Sequence, residues 1–512
     1  MKIFLISLMF YSFVYISSAQ TTGIKTYCNP MDLNYQYNFE QKHLGISYRS
    51  GADPVIVLHK GEYYLFATIS GGWWHSKDLL HWVYVTPNQW PVEDMCAPAA
   101  ISVNDTLFLL QSTYGHRPIY YLEDEKNGIL KYYNPLLPDI PGIDNDRKEV
   151  GEYDGPWDPG LFYDEETNRW YNYFGSSNVF PVYGIELDKS KQLSYKGFPQ
   201  KLIYLHPDQH GWERFGQDHR DTIKPFIEGA WMNKYNGKYY LQYGAPGTEY
   251  NVYANGVYVG DDPLGPFTYA PYNPVSYKPG GFVKGAGHGN TFKDVYGNYW
   301  NTGTPWLAVN WNFERRIAMF PAGFDDDGQM FSNTRFGDLP HYLPTYKWQS
   351  KDELLAGWML LSYKKPVFTS SEKDTFSVNK VVDENIRTYW IAKENKPGEW
   401  ITIDLQNEYS VKAIQVNYTD YKSSIFKSDT SVYTQFKIYT SIDNKKWEKA
   451  IDLSNEKHDR PNAYVELNNP IQARYVKYEH IYVASENLAI SDFRVFGNGN
   501  DATPITPKNL TA

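Results

Sequence analysis

Ser50-Gly51-Ala52-Asp53-Pro54-Val55-Ile56-Val57 places one carboxylate and a proline directly ahead of a short apolar strand. Three other stretches share this build: Trp157-Asp158-Pro159-Gly160-Leu161-Phe162, Ile227-Glu228-Gly229-Ala230-Trp231 and Gly287-His288-Gly289-Asn290-Thr291-Phe292. Each sets a polar residue at the start of a strand. A polar turn and an aromatic strand then follow, as at 55–58, 59–62 and 63–69. A fifth unit opens at Ala97-Pro98 and returns over 107–111. With Asp53, Pro98, Asp158, Glu228 and His288 as markers, the spacings are 45, 60, 70 and 60 residues. A strict repeat is more regular, and loop insertions on one face account for the excess. Five such units predict an all-β five-bladed β-propeller, in which the first strand of each blade lines a common axis. A plain β-sandwich is the alternative.

Composition agrees with this reading. The 512 residues suit two or three domains. Aromatic residues make up 17%, with 46 Tyr and 16 Trp. They favour strands, and flat rings also serve as platforms for sugar C–H faces. A net charge of −10 leaves no basic stripe for phosphates, so nucleic acid is not an expected partner. The only cysteines are Cys28 and Cys96. They could pair in an oxidising compartment, or equally remain two thiols.

Residues 1–19 read as a signal peptide. Lys2 is the positive start, 3–16 the apolar core, and Ser17-Ser18-Ala19 the small residues before Gln20. The apolar core is too short for a good spanning helix, and no later stretch predicts a membrane span. The expectation is a secreted or periplasmic protein. The propeller is assigned to 20–346, with an irregular lead-in to about residue 45. A connection over 347–358 reads as helical around 352–356. Texture changes over 359–498, which reads as a β-sandwich with strands at 399–405, 411–418, 436–441, 474–480 and 492–496. Residues 499–512 read as a flexible tail.

The strand openers hold two aspartates and one glutamate. Hydrolysing a glycosidic bond takes a carboxylic acid to protonate the leaving oxygen and a carboxylate to act as base or nucleophile. A third carboxylate can orient and tune the acid, because like charges in one pocket oppose each other's ionisation.

With Ala52-Asp53-Pro54, Trp157-Asp158-Pro159 and Ile227-Glu228-Gly229 in this order, residues 45–340 resemble glycoside hydrolase family 43. Ser76-Lys77-Asp78-Leu79-Leu80-His81-Trp82 and the hairpin over 232–240 add to the likeness. The resemblance implies an inverting hydrolase of terminal α-L-arabinofuranosyl or β-xylosyl groups on plant polysaccharides or oligosaccharides. It implies Asp53 as general base, Glu228 as general acid and Asp158 as the residue that tunes and orients the acid. His288 matches a histidine that binds a structural calcium ion in many members; a hydrogen-bonded axial histidine is the other reading. Arg315 stands where members carry a substrate-contacting arginine, and the adjacent Arg316 leaves the register open. Trp73, Trp74, Trp157, Trp231 and Trp306 lie near strand ends and are candidate walls of the sugar site.

One departure concerns blade two. Members acting on arabinose or xylose often carry Trp-Ala-Pro there, and this chain has Met95-Cys96-Ala97-Pro98. Endo-arabinanase or galactan-directed activity, or a non-catalytic glycan-binding protein, are the alternatives.

Residues 359–498 resemble a discoidin, or coagulation factor type C, domain, close to carbohydrate-binding module family 32. The likeness rests on Val382-Asp383-Glu384-Asn385 with Thr388 and Trp390, on Trp400-Ile401-Thr402-Ile403-Asp404-Leu405, and on Tyr439-Thr440-Ser441 with Asp443 and Trp447. Ala473-Arg474-Tyr475-Val476-Lys477 and Ile490-Ser491-Asp492-Phe493-Arg494-Val495-Phe496-Gly497 complete it. The domain is expected to bind glycan, or only to pack against the propeller. These residues set the fold and name no ligand contact.

Overall fold

The computed structural model describes residues 25–88, 96–112, 118–137, 139–143, 155–426 and 431–499. The leader, Met95 and the tail beyond residue 499 lie outside them. Five four-stranded antiparallel sheets follow one another, each built from consecutive strands. Blade one is Val55–His59, Glu62–Phe66, Trp73–Ser76 and Trp82–Val85. Blade two is Cys96–Val103, Thr106–Ser112, Ile119–Asp124 and Ile129–Asn134. Blade three is Gly160–Asp164, Arg169–Phe174, Val182–Asp188 and Ser194–Ile203. Blade four is Glu228–Tyr235, Lys238–Ala245, Ala254–Gly260 and Phe267–Tyr269. Blade five is Thr291–Lys293, Tyr299–Gly303, Ala318–Phe324 and Met330–Ser332. The chain is a five-bladed β-propeller followed by a β-sandwich.

Every blade is sequential, and among the described residues no strand is shared between the first and the last. Side chains close the ring instead. Asn290, fully buried in blade five, reaches Ile56 in blade one. Its Oδ1 accepts from Ile56 N at 3.0 Å, and its Nδ2 donates to Ile56 O at 2.9 Å. The Asn290 amide thus takes the place of a strand neighbour. Thr302 adds a bond from its hydroxyl to the Pro54 carbonyl at 3.0 Å.

The lead-in covers this seam. Lys25–Tyr27 pairs with His341–Leu343, and the Asn29 side chain bonds Met319 N, Met319 O and Gly337 O. Tyr27, Met31, Leu33 and Tyr35 pack with Ile56, Leu65 and Trp74 of blade one and with Phe292, Trp300 and Met319 of blade five. An apparently irregular segment is therefore a core element.

The C-terminal sheet runs in the order Met359–Leu360, Ala489–Gly499, Trp400–Tyr418, Asn462–Val483, Thr434–Ser441 and Glu448–Asp452. The polar run at 406–408 reads as a break between two strands. It is a bulge instead: Gln406 takes φ 72°, and one strand of 19 residues runs through it with its register shifted. In the connection, only one turn of 3₁₀ helix forms, Lys351–Leu354, capped by Ser350 and Glu353. Cys28 and Cys96 form no disulfide. The Cys28 sulfur is buried beside Arg494 and Gln415, and burial pushes its pKa up to about 12.

Asn290→Ala removes the two Asn290–Ile56 bonds and leaves two buried backbone groups of Ile56 unsatisfied. We expect a loss of about 2–4 kcal/mol of stability, measured by urea unfolding with an unchanged m-value.

Candidate active site

Each blade is entered through one residue with positive φ. These are Asp53 (51°), Ala97 (40°), Asp158 (51°), Gly229 (62°) and His288 (44°). The conformation costs about 1–3 kcal/mol for a residue with a side chain, yet four of the five are not glycine. In blade four glycine takes the kink, and Glu228 stands one residue upstream. A Cβ on Gly229 would come within 2.6 Å of the His288 ring. Gly287 and Gly289 are small for similar reasons. A Cβ on Gly287 would strike the Tyr253 ring at 2.6 Å, and one on Gly289 would strike Thr302 O at 2.1 Å.

These entries bring Asp53, Asp158, Glu228 and His288 to one end of the axis. His288 Nδ1 lies 3.2 Å from Asp53 Oδ1 and 3.8 Å from Asp158 Oδ2. One ligand atom each from Asp158, Glu228 and His288 lies within 4.8 Å of the others. Burial pulls the His288 pKa down, but Asp53, Asp158 and Glu228 outweigh it, and the net shift is upward. His288 is therefore favoured as the imidazolium.

The carboxylates differ in character. Burial pushes the Asp53 carboxyl up, but His288, Arg315 and the Thr68 hydroxyl outweigh it and hold it below the usual aspartate value. Thr68 donates to Asp53 Oδ2, and Thr68 Oγ1 accepts from Ala97 N at 2.8 Å. Asp158 goes the other way. Burial, with the nearby Glu228 and Asp53 charges, raises it to about 7. Ser112 Oγ accepts from Asp158 N at 2.6 Å. Glu228 accepts from the Tyr253 hydroxyl at 2.6 Å and from Ser176 at 3.2 Å.

Of the two adjacent arginines, Arg315 is the one that faces the carboxylates. Arg315 NH1 lies 3.5 Å from Asp53 Oδ1 and donates to Thr248 Oγ1 at 3.0 Å. Arg316 turns into the core, over the Tyr35 ring, and donates to Arg49 O.

The tryptophans need correction. Trp73 and Trp74 are fully buried core residues, bonded to Glu125 O and Asn34. They present no face to a sugar. Trp231 lies beyond the register shift after Glu228. It lines an axial cavity of about 510 Å³ with Ile56, Ala100 and Leu161, toward the hairpin turns and away from the carboxylates. Trp157 adjoins Asp158 but is only 4% exposed. Trp306 is buried under the Arg387 guanidinium, 4.3 Å from its ring centre. The open aromatics near Arg315 are Phe313 and Trp311. Trp311 is 49% exposed, its ring centre 4.9 Å from that of Phe313, and Arg315 Nε donates to Phe313 O.

Calcium takes six to eight oxygen ligands. Here Asp158, Glu228 and His288 offer two carboxylates and a ring nitrogen, and the His288 Nδ1 already faces two carboxylates. This set is a poor match for calcium, and no step below uses a metal.

Comparison with known proteins places this geometry. The Glycosyl hydrolases family 43 profile matches residues 46–330, more than half of the chain. The chain belongs to glycoside hydrolase family 43. The F5/8 type C domain profile matches residues 367–488. A Xylosidase/arabinosidase 43A of Humicola insolens is 46% identical over 210 residues, covering 35% of this chain and 58% of that protein. A Xylosidase/arabinosidase of Bacteroides ovatus is 51% identical over 49 residues, covering 10% and 14%. The chain thus spans less than two thirds of either relative. A solved structure titled Glycoside hydrolase aligns over 87% of this chain and 97% of its own, with a TM-score of 0.50 and 18% identity; it shares the fold.

Within this family 43 site, ionised Asp158 is costly. Its folded pKa, about 7, lies above the ordinary 3.8, so the cost is absent below about pH 4 and complete above about pH 7. Asp158→Asn removes it. The stability of Asp158→Asn relative to wild type is expected to rise between pH 4 and pH 8 in denaturant titrations; a flat difference would count against the shift.

Proposed function

We propose that this family 43 chain is an exported, inverting glycoside hydrolase. Its substrates are terminal α-L-arabinofuranosyl or β-xylosyl groups on plant polysaccharides or oligosaccharides. The observation that carries the mechanism is the split, within one cluster, between Asp53, held low beside His288 and Arg315, and Asp158, pushed up by burial beside Glu228. An acid and a base with separated proton affinities are what general acid–base catalysis requires.

Asp53 takes a proton from a water, whose oxygen attacks the anomeric carbon. The glycosidic C–O bond breaks as Glu228 passes its proton to the leaving oxygen. Asp158, close beside Glu228, tunes and orients it, and the Tyr253 hydroxyl donates to Glu228 Oε1. His288 and Arg315 keep Asp53 ionised and so able to accept the water proton. The xylosidase and arabinosidase names of the two curated relatives support the sugar class. The leader pattern supports action outside the cytoplasm, secreted or periplasmic.

Nitrophenyl arabinofuranoside and xyloside test the reading. Glu228→Gln and Asp53→Asn should each lower kcat by about 10²–10⁴-fold. Proton NMR of the first product formed should show the inverted anomer. Retention would overturn the base role of Asp53. Turnover confined to internal bonds of arabinan or galactan would favour the endo or galactan reading. Binding of glycan with no turnover would favour a non-catalytic protein.

Trp311, exposed beside Phe313, is suited to stack on a sugar ring. Trp311→Ala should raise KM for oligosaccharides several-fold, by the order of one aromatic–sugar contact, and leave kcat on the nitrophenyl substrates near wild type.

A further inference from the structure

The C-terminal domain grips the two segments that carry Asp53 and Arg315. Arg49, four residues ahead of Asp53, has a side chain 5% exposed and lies between two aspartates of that domain. Asp420, fully buried, accepts from Arg49 N at 2.8 Å, Nε at 3.1 Å and NH2 at 2.8 Å. Asp459 accepts from Arg49 NH1 at 2.8 Å. Tyr37 donates to Asp420 at 2.9 Å. The next links run into the site. Arg49 O accepts from Arg316 NH1 at 2.6 Å. Ser50 Oγ accepts from Arg315 N at 2.9 Å, and Gly51 N donates to Arg315 O at 3.1 Å.

A second grip lies on the other side of Arg315. Arg387 stacks over Trp306 and donates to Ala308 O at 3.3 Å. Its neighbour Ile386 is buried among Phe282, Leu307 and Phe320 of the propeller.

The geometry points to the F5/8 type C domain as a positioning part of the active site, with Asp420 and Arg387 as positioning residues that fix Asp53 against Arg315. This goes beyond the proposed function and rests on its assignment of Asp53 as base. A binding module joined only for targeting needs neither a buried guanidinium between two carboxylates nor a brace on the loop that bears Trp311 and Phe313. A support shell that locks a catalytic group is what such a network provides.

Asp53 faces His288, Arg315, Asp158 and Tyr253. If Arg315 drifts, Asp53 loses a cation that favours its charge, and the acid limb of the rate profile moves to higher pH. The test uses the full chain with Asp420→Asn, Arg387→Ala and the control Asp404→Asn. The control breaks the Arg474–Asp404 pair, which lies within the C-terminal domain. Arg387 is exposed, so its variant folds even if Asp420→Asn does not.

Hydrogen exchange of peptides covering 49–53 and 306–316 should quicken by about tenfold or more in both positioning variants and not in the control. The acid limb of kcat/KM should shift upward in the same two variants, with kcat falling more than KM changes. Unchanged exchange in Arg387→Ala and Asp420→Asn would overturn the brace, whether or not the enzyme turns over any substrate. Faster exchange with an unmoved acid limb would overturn the positioning of Asp53. A wild type without turnover on every glycan would overturn the hydrolase reading alone, and exchange would still decide the brace.

Discussion

Three carboxyl groups, two of them buried, share one cluster at the end of the propeller axis, and like charges in a low-dielectric space oppose one another's ionisation. Everything around them manages that conflict. His288, carried on the same kind of left-handed entry as Asp53 and Asp158, brings a positive ring between the two aspartates. Arg315 brings a second cation, to Asp53 alone. With positive charge concentrated on Asp53, that carboxylate ionises easily, while Asp158, buried beside Glu228 and Asp53, is pushed the other way. The asymmetry needed for acid–base chemistry thus follows from where two cations stand, with no metal invoked.

The same residues close the ring. His288 is two positions from Asn290, whose amide replaces a strand neighbour for Ile56, and Ile56 is three positions from Asp53. Thr302 and Thr304 tie the same seam to Pro54 O and Asp53 N. The joint between first and last blade is therefore also the joint between Asp53 and its counter-ion His288. A propeller that closed loosely would separate Asp53 from His288 first. Three glycines serve this closeness: Gly229, Gly287 and Gly289 each lack a Cβ that would fall within about 2–2.7 Å of a neighbour.

Much of this was legible in the chain. Strand starts and turn residues mark the five blades, because a first strand needs an apolar run and a polar entry. Asp53, Asp158, Glu228 and His288 could be picked out because they stand at equivalent entries, and the structure brings them together. The tryptophans could not be placed, since strand-end proximity does not say which face a side chain takes. A register shift after Glu228 turns Trp231 to the channel, and Trp73 and Trp74 fill cores between sheets. Arg315 and Arg316 are neighbours just ahead of the strand Ala318–Phe324; one faces the site and the other the core, and only tertiary packing decides which. Tyr253 carried no local signal at all. It becomes visible once Gly244 and Gly287 are seen to leave room for its ring.

The seam between domains extends the argument from charge to rigidity. Burying a guanidinium is costly unless carboxylates and hydrogen bonds compensate it. Arg49 is compensated almost entirely from the C-terminal domain, while its carbonyl holds Arg316 and its neighbours hold Arg315. Arg494 mirrors it from the other domain, spanning Glu384, Gln415 and the Asp338 carbonyl while lying over Phe282. Each domain thus buries a cation whose neutralisation or hydrogen bonding depends on the other. Ion pairs of this kind are weak sources of stability but strict about geometry, which is the property a site with an ångström-scale tolerance needs. Separation of the domains would leave buried charges uncompensated on both sides, so the propeller carries its catalytic geometry as one half of a two-domain unit.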